Sequence, residues 1–319
     1  MAVRIIHYTS HGLLYECRGE QALYAEDIPH ALPLDWIRSL PEGFAGLGGR
    51  SYSQWHELVK SYSARNLSFD KDKLPAIGGA AEKHAELQEH FSRVKQQYHA
   101  GLWERSFAYD LLWQADHWAV GRAGASYQPA PVLNSSGCPS WSWASLNGRV
   151  RFPEYDFDTT NSLVMLKEIV TYVPGLNPYG QCTGGFVRLS GPVVEASLSS
   201  TDSSISFGYQ LRPEGTYTPQ NWVGMDADTI LENWMIHYES GETEETVRRA
   251  PTSDSGTFRV ATENVYCLLV CESKKDEKIA VIVLAKSDTV PGAYMRIGQS
   301  GFSDIWKAAK QKQMTLTIV

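Results

Sequence analysis

Pro139-Ser140-Trp141-Ser142-Trp143-Ala144-Ser145-Leu146-Asn147-Gly148-Arg149-Val150-Arg151-Phe152 is the stretch on which the fold turns. From Trp141 to Ser145 large and small residues alternate. That predicts a strand with both indoles on one face and Ser142 and Ala144 on the other. Asn147-Gly148 is the strongest two-residue hairpin signal, because both residues tolerate the positive φ of a tight turn. Arg149 to Phe152 then reads as the returning strand. Past it the same period persists: Leu163 to Val173, Phe186 to Leu198, Ser204 to Leu211, Tyr266 to Cys271, Ile279 to Leu284 and Met314 to Val319 are all strand-like. Asp226 to Glu239 suits helix and strand alike, and the charged Glu239 to Ser255 reads as a mobile loop. Ser303 is placed to cap a short helix through Ile305, Trp306 and Ala309.

Upstream the period changes. Trp55, Leu58, Val59 and Tyr62 have the spacing of one helix face, with Ser51 or Ser53 available as a cap. A second helix is predicted from Asp72, with Pro75 tolerated in its first turn and Ile77, Ala81, His84, Leu87 and Phe91 on its apolar side. Gly78-Gly79 within it predicts the close approach of another element. From about Ala100 to Asp116, the residues Leu102, Trp103, Phe107, Leu111, Leu112 and Trp113 cover too wide an arc for a surface helix, so a central helix is expected. Ahead of these, Arg4 to Thr9 and Leu13 to Cys17 read as a hairpin around Ser10-His11-Gly12, and the Pro- and Gly-rich Asp27 to Arg50 as connection. The pattern predicts an α+β fold, a helical layer packed on an antiparallel β-sheet. Residues 1–125 form its hairpin and helical region and 126–319 its β-rich region, in one compact unit.

Composition narrows the function classes. A hydrophobic fraction of 43% supports a sizeable core, and a net charge of −7 without a basic cluster disfavours nucleic acid as a partner. Apolar runs no longer than Ile279 to Ala285 are too short to span a bilayer, and Met1 to His7 lacks the apolar segment of a signal peptide. Five scattered cysteines suit reduced thiols in a cytoplasmic setting. Cys267 and Cys271 lie four apart without further ligands, so no metal is expected there. No glycine-rich phosphate loop follows a strand, and no cofactor is expected. Ser140 and Ser142 lack a nucleophile elbow, and sequence order assembles no Ser-His-Asp set. Nothing in the sequence sets an oligomeric state.

Four ordered fragments carry a family resemblance. They are Trp55-His56-Glu57-Leu58-Val59 with Tyr62 to Leu67; Asp72-Lys73-Leu74-Pro75-Ala76-Ile77-Gly78-Gly79; Tyr98-His99-Ala100-Gly101-Leu102-Trp103 with Leu111-Leu112-Trp113; and Pro139 to Ser145. In this order and spacing the chain resembles the fungal heterokaryon-incompatibility (HET) proteins, in the region that follows their HET domain. Arg4 to Cys17, Tyr294 to Gly298 and Thr315 to Val319 extend the resemblance over nearly the whole chain, loosest between about 200 and 265. The HET domain itself, which resembles TIR modules and is associated with cell-death signalling, has no counterpart here, so its effector chemistry transfers to no residue.

The resemblance implies a sensor half of an incompatibility system, a scaffold without chemistry, or one of the HET-like proteins that resemble cofactor-free cyclases of fungal terpenoid biosynthesis. The leading expectation is the cyclase, acting by intramolecular Diels–Alder addition on an apolar terpenoid substrate. The alternative is a non-enzymatic allorecognition or sensor module. A pericyclic reaction needs an apolar cavity that folds a polyene into one reactive conformer, plus a donor to polarise the dienophile. Trp103, Trp113, Trp118, Trp141 and Trp143 are the expected walls, although an aromatic stripe at helical spacing is more often core. His117, beside the loop Gly121 to Gly124, is the expected donor and Tyr109 the second expected catalytic residue, with Tyr109 and Asp110 placed to form an acid–base pair with His117 unless Asp110 merely solvates the helix. A cavity of roughly 300 Å³ or more is expected where the central helix meets the Trp141–Trp143 strand. His84 is expected to be a packed or surface histidine.

Overall fold

A computed structural model of the chain describes residues 4–9, 12–17, 24–25, 50–65, 67–116, 132–133, 137–153, 160–203, 206–215, 223–228, 263–275 and 277–319. The connection Asp27 to Arg50 (but for its last residue), His117, Trp118, the loop Gly121 to Gly124 and the stretch Glu239 to Ser255 lie outside the described residues.

The first elements are β1 (Arg4–Thr9), β2 (Gly12–Cys17) and β3 (Tyr24–Ala25), with β1 and β2 forming the antiparallel hairpin expected. Helix α1 (Arg50–Ser63) buries Trp55, Leu58 and Val59, as its spacing predicts. Helix α2 (Lys73–Ser92) follows a single 3₁₀ turn at Asp70–Asp72. Asp72 does occupy its N-cap, but without a side-chain cap bond, because the chain enters in a helical rather than an extended conformation. Ile77, Ala81, His84 and Ala85 are buried on its inner face. Of the two glycines, Gly78 is the close-approach position. A Cβ there would lie 2.8 Å from the Tyr179 carbonyl oxygen, whereas Gly79 faces open space.

The central helix expected over Ala100 to Asp116 is not there. In its place stand a hairpin of β4 (Tyr98–His99) and β5 (Leu102–Trp103), a 3₁₀ turn, a single α-turn α3 (Phe107–Asp110) and β6 (Gln114–Ala115). The cause is the pair Ala100 (φ +46°) and Gly101 (φ +99°). Two successive left-handed residues reverse the chain and end any helix. The buried residues were read correctly; their periodicity was not helical.

A second correction falls on the opening stretch. Strand β7 (Val132–Leu133) pairs with β8 (Leu146–Asn147), and β9 (Val150–Arg151) pairs with β6. The strands either side of Asn147-Gly148 therefore find different partners, and there is no hairpin. Trp143–Ser145 is a 3₁₀ turn, not a strand, since the Ser142 hydroxyl accepts from the Ala144 N–H at 3.0 Å and closes the backbone locally. Trp141 and Trp143 consequently do not share a strand face.

From residue 160 onward the sheet prevails. Its strands are β10 (Thr160–Ser162), β11 (Met165–Thr171), β12 (Gly185–Ser203), β13 (Ser206–Pro213), β14 (Val223–Ala227), β15 (Glu263–Ser273), β16 (Lys278–Lys286), β17 (Tyr294–Ser303) and β18 (Lys312–Ile318), with α4 (Ile305–Ala308) between the last two. All pairings are antiparallel except one contact of β17 with β18. The order β12-β15-β16-β17-β14-β13 returns to β12, so six strands close into a barrel.

Strand β16 shows how the two cores are divided. Ile279, Val281, Val283 and Ala285 point into the barrel, while Ala280, Ile282 and Leu284 point out to the helical layer. Both faces are buried, which is why it reads as a continuous apolar run. Trp306 of α4 lies fully buried in the inner core. The outer core combines α1, α2, the 98–115 segment and 141–150 with the outer face of the sheet, so one cluster crosses the position near 125. The structure is thus α+β, with helices packed on a mostly antiparallel sheet. Among the described residues no helix is long and apolar enough to cross a membrane.

Candidate functional site

The four fragments quoted above meet in one place. The turn at Ala100-Gly101 is the meeting point, because its two carbonyls face inward. The Ala100 carbonyl accepts from the Ser142 hydroxyl. The Gly101 carbonyl accepts from two indoles, Trp55 Nε1 and Trp143 Nε1, each at 3.0 Å. A Cβ on Gly101 would overlap the Trp143 ring. Lys73, the first residue of α2, donates to the Leu146 carbonyl and lies 5.6 Å from the Trp143 ring centroid. Burial pushes the Lys73 ammonium down to about 8, against the opposing pull of Cys138 and Asp70. The Tyr62 hydroxyl donates to the Lys73 carbonyl at 2.6 Å, tying α1 to α2.

Two further polar groups lock this knot to its surroundings. Asp110 is 1% exposed; one oxygen lies 2.7 Å from His56 Nε2 and the other accepts the Trp103 backbone N–H at 2.7 Å. His56 stacks on Phe152 at 3.8 Å between ring centroids. On the sheet side, Arg296 of β17 reaches into the helical layer. Its guanidinium donates to the Leu111 carbonyl at 2.9 Å and to the Trp113 carbonyl, pairs with Asp228 at 3.1 Å, and lies over the Trp113 indole 3.4 Å from the ring centroid. Burial lowers the Arg296 guanidinium to about 10, with Asp228 holding it up. The Arg296 backbone N–H donates to the Ser140 hydroxyl at 2.9 Å, and that hydroxyl donates to the Val319 carbonyl.

Four of the five residues expected to wall a cavity are in this core. Trp113, Trp141 and Trp143 are 0% exposed and Trp103 is 1% exposed. Trp141 packs on Phe107, Trp143 on Tyr62, and Trp103 on Trp55, Tyr98 and His84. Tyr109, on α3, is partly buried against the same core. Its hydroxyl donates to the Thr160 carbonyl at 2.7 Å, and burial raises its pKa. Asp110 is committed to His56 and the Trp103 backbone. The expected donor His117 and the expected wall residue Trp118 lie outside the described residues. His84 is a packed histidine, fully buried between Trp55 and Trp103.

Sequence reasoning missed His56, Lys73, Asp110 and Arg296 as core polar residues. A signal existed for one: His56 directly follows Trp55 on the buried side of α1. Arg296 sits on a strand with no sequence mark of what it faces. Cys267 and Cys271 turn out to face opposite sides of β15, the first into the barrel and the second toward the helices. A bulge between Leu269 and Cys271 shifts the alternation by one residue. Among the described residues no group of three or more His, Cys, Asp or Glu is gathered closely enough to hold a metal ion. Comparison with protein-family models, with curated proteins and with solved structures gives no match for this chain.

Proposed function

We propose that the chain is a non-enzymatic recognition module, of the kind implied by its resemblance to incompatibility proteins. The observation that carries this is the state of the core. Among the described residues, the indoles expected to shape a substrate, Trp103, Trp113, Trp141 and Trp143, are packed to 0–1% exposure, and Lys73, Asp110 and Arg296 are bonded to backbone groups. A terpenoid placed between those rings would have to displace native packing, at the several kcal/mol that deleting such contacts typically costs. The accessible apolar surface lies elsewhere. Of seven large hydrophobic side chains exposed among the described residues, Met165, Tyr172 and Leu176 lie on β11 and the loop that follows it. Among the described residues β11 ends the sheet order with one edge unpaired, and a strand edge flanked by apolar side chains is a recurrent recognition surface.

One observation favours the cyclase reading instead. The indole N–H groups of Trp103 and Trp141 have no acceptor among the described residues, and a pericyclase needs a buried donor for its activating carbonyl. A single experiment separates the two. Purified protein is incubated with a linear terpenoid bearing a conjugated diene and an enone, and the ratio of cyclised products is compared with buffer. The module reading expects an unchanged ratio; enrichment of one stereoisomer returns the chain to the cyclases. Sequencing the gene from incompatible isolates supplies the positive arm, with variation expected to concentrate on residues 165–178 and variation confined to the core counting against recognition there.

A further inference from the structure

We propose that Cys138 and Cys182 form a redox couple, which a hydroperoxide converts into an intrachain disulfide stapling the segment that enters the indole knot to the loop between β11 and β12. The two segments run against each other. Gly137 has φ +78°, and a Cβ on it would stand 3.1 Å from the Thr183 carbonyl oxygen. A Cβ on Gly184 would in turn stand 4.0 Å from the Gly137 carbonyl oxygen. Cys138 Sγ donates to the Cys182 carbonyl oxygen at 3.6 Å, which sets the Cys138 side chain against the Cys182 residue. This close approach brings the two cysteines into the neighbourhood in which a disulfide, with its Cα separation of roughly 4.4–6.8 Å, is to be sought. Both cysteines are reduced in this structure.

The chemistry of the pair is set by its neighbours. Cys182 is held down to about 7 by the bond from Cys138, against burial, and its Sγ donates to the Gly184 carbonyl at 3.1 Å. The buried ammonium of Lys73 and the Cys138 sulfur act on each other electrostatically, which favours a thiolate at Cys138. Cys138 is half-buried and Cys182 only 1% exposed, so Cys138 is the sulfur that meets a solvent-borne oxidant. The Cys182 thiolate takes the Cys138 proton, and the resulting Cys138 thiolate attacks one peroxide oxygen and breaks the O–O bond, giving a sulfenic acid and hydroxide, which takes up a proton to become water. The Cys182 thiol then attacks the sulfenic sulfur, the S–S bond forms, and a second water leaves. Two sulfurs are oxidised and one peroxide is reduced. Cys267 and Cys271 do not compete: burial pushes both thiols up, Cys271 to about 12, and they face opposite sides of β15.

The bond closes a long loop, since its partners stand 44 residues apart. Removing that much freedom from the unfolded chain raises the thermal midpoint by about 5 °C or more. The test treats the full chain with stoichiometric hydrogen peroxide, followed by alkylation, intact mass, peptide mapping and a melting scan. The expected result is loss of two alkylatable thiols, one cross-linked peptide pair containing Cys138 and Cys182, and a raised midpoint that dithiothreitol reverses. Cys138→Ala and Cys182→Ala should each abolish both the link and the rise. The wild-type peptide map decides the matter even where a variant folds poorly. Recovery of Cys138 as sulfinic acid without a link, a link to any other cysteine, or a link with an unchanged midpoint overturns the proposal.

Discussion

His84 sits fully buried between Trp55 and Trp103, with ring centroids 5.6 and 4.9 Å away. Burial, with a smaller push from His56, holds its imidazole down to about 4. The unfolded chain takes up that proton near 6.5, so as pH falls the unfolded state is protonated first. The contribution of His84 to stability is therefore whole above about 6.5, declines as pH drops toward about 4, and is level below, a loss on the order of 3 kcal/mol. Urea unfolding at pH 7.5 and pH 4 should show that decline, and His84→Leu should flatten it. An equal decline in the variant would place the titrating group elsewhere. The packed setting of this histidine was within reach of the sequence, because it falls on the apolar face of a periodic helix. The partners of Asp110 and Arg296 were not, since a charged residue carries no local mark of burial, and only distant strands and turns supply what satisfies it.

The helices α1 and α2 and the long strands were legible because one face of each is buried and the period shows in the residues themselves. The segment from Ala100 to Asp116 was not. Its apolar residues are dense enough to fit a helical wheel, while the conformation that decides against a helix belongs to two small residues at its start. Ala100 and Gly101 both hold positive φ, but they differ in what a side chain would meet. Gly101→Ala should destabilise by roughly 3 kcal/mol or more, because the new methyl collides with Trp143 and strains the backbone. Ala100→Gly should be neutral or stabilise by up to about 1 kcal/mol, since it relieves a left-handed alanine. Equal losses from the two changes, measured by chemical denaturation, would rule out this turn as the cause. The Asn147-Gly148 signal failed for a related reason. The Asn147 side chain donates to Asp70 at 2.7 Å, and the flanking residues pair with β6 and β7 rather than with each other.

At the scale of the molecule, the barrel and the helical layer are joined through Arg296. Arg296→Met keeps the stem on Trp113 but removes the ion pair with Asp228 and leaves the Leu111 and Trp113 carbonyls without this donor. The expected cost is on the order of 3–5 kcal/mol in denaturant unfolding. Arg296→Lys should recover little, because a single ammonium cannot reach three acceptors held in a planar fork. Arg296→Met combined with Asp228→Asn should recover part of the loss, and full additivity of the two changes would show that they act separately. Closure of the sheet was beyond the sequence. Periodicity reports which residues lie inward, but not that β12 meets β15 across an intervening pair of strands.

Strand β12 pairs with four partners: β11 and β15 along one edge, β18 and β13 along the other. Two of these are its neighbours in the chain, and hairpins of that kind zip in microseconds. The other two arrive from residues 263–273 and 312–318, after long loops have been closed at an entropic cost that no early contact offsets. Refolding is therefore expected to show two tempos in stopped-flow measurements, a rapid meander of β11, β12 and β13 followed by slow docking of β15 and β18. In the interval β12 offers unpaired backbone to any other chain, so the yield of native protein is set by how dilute the folding chains are.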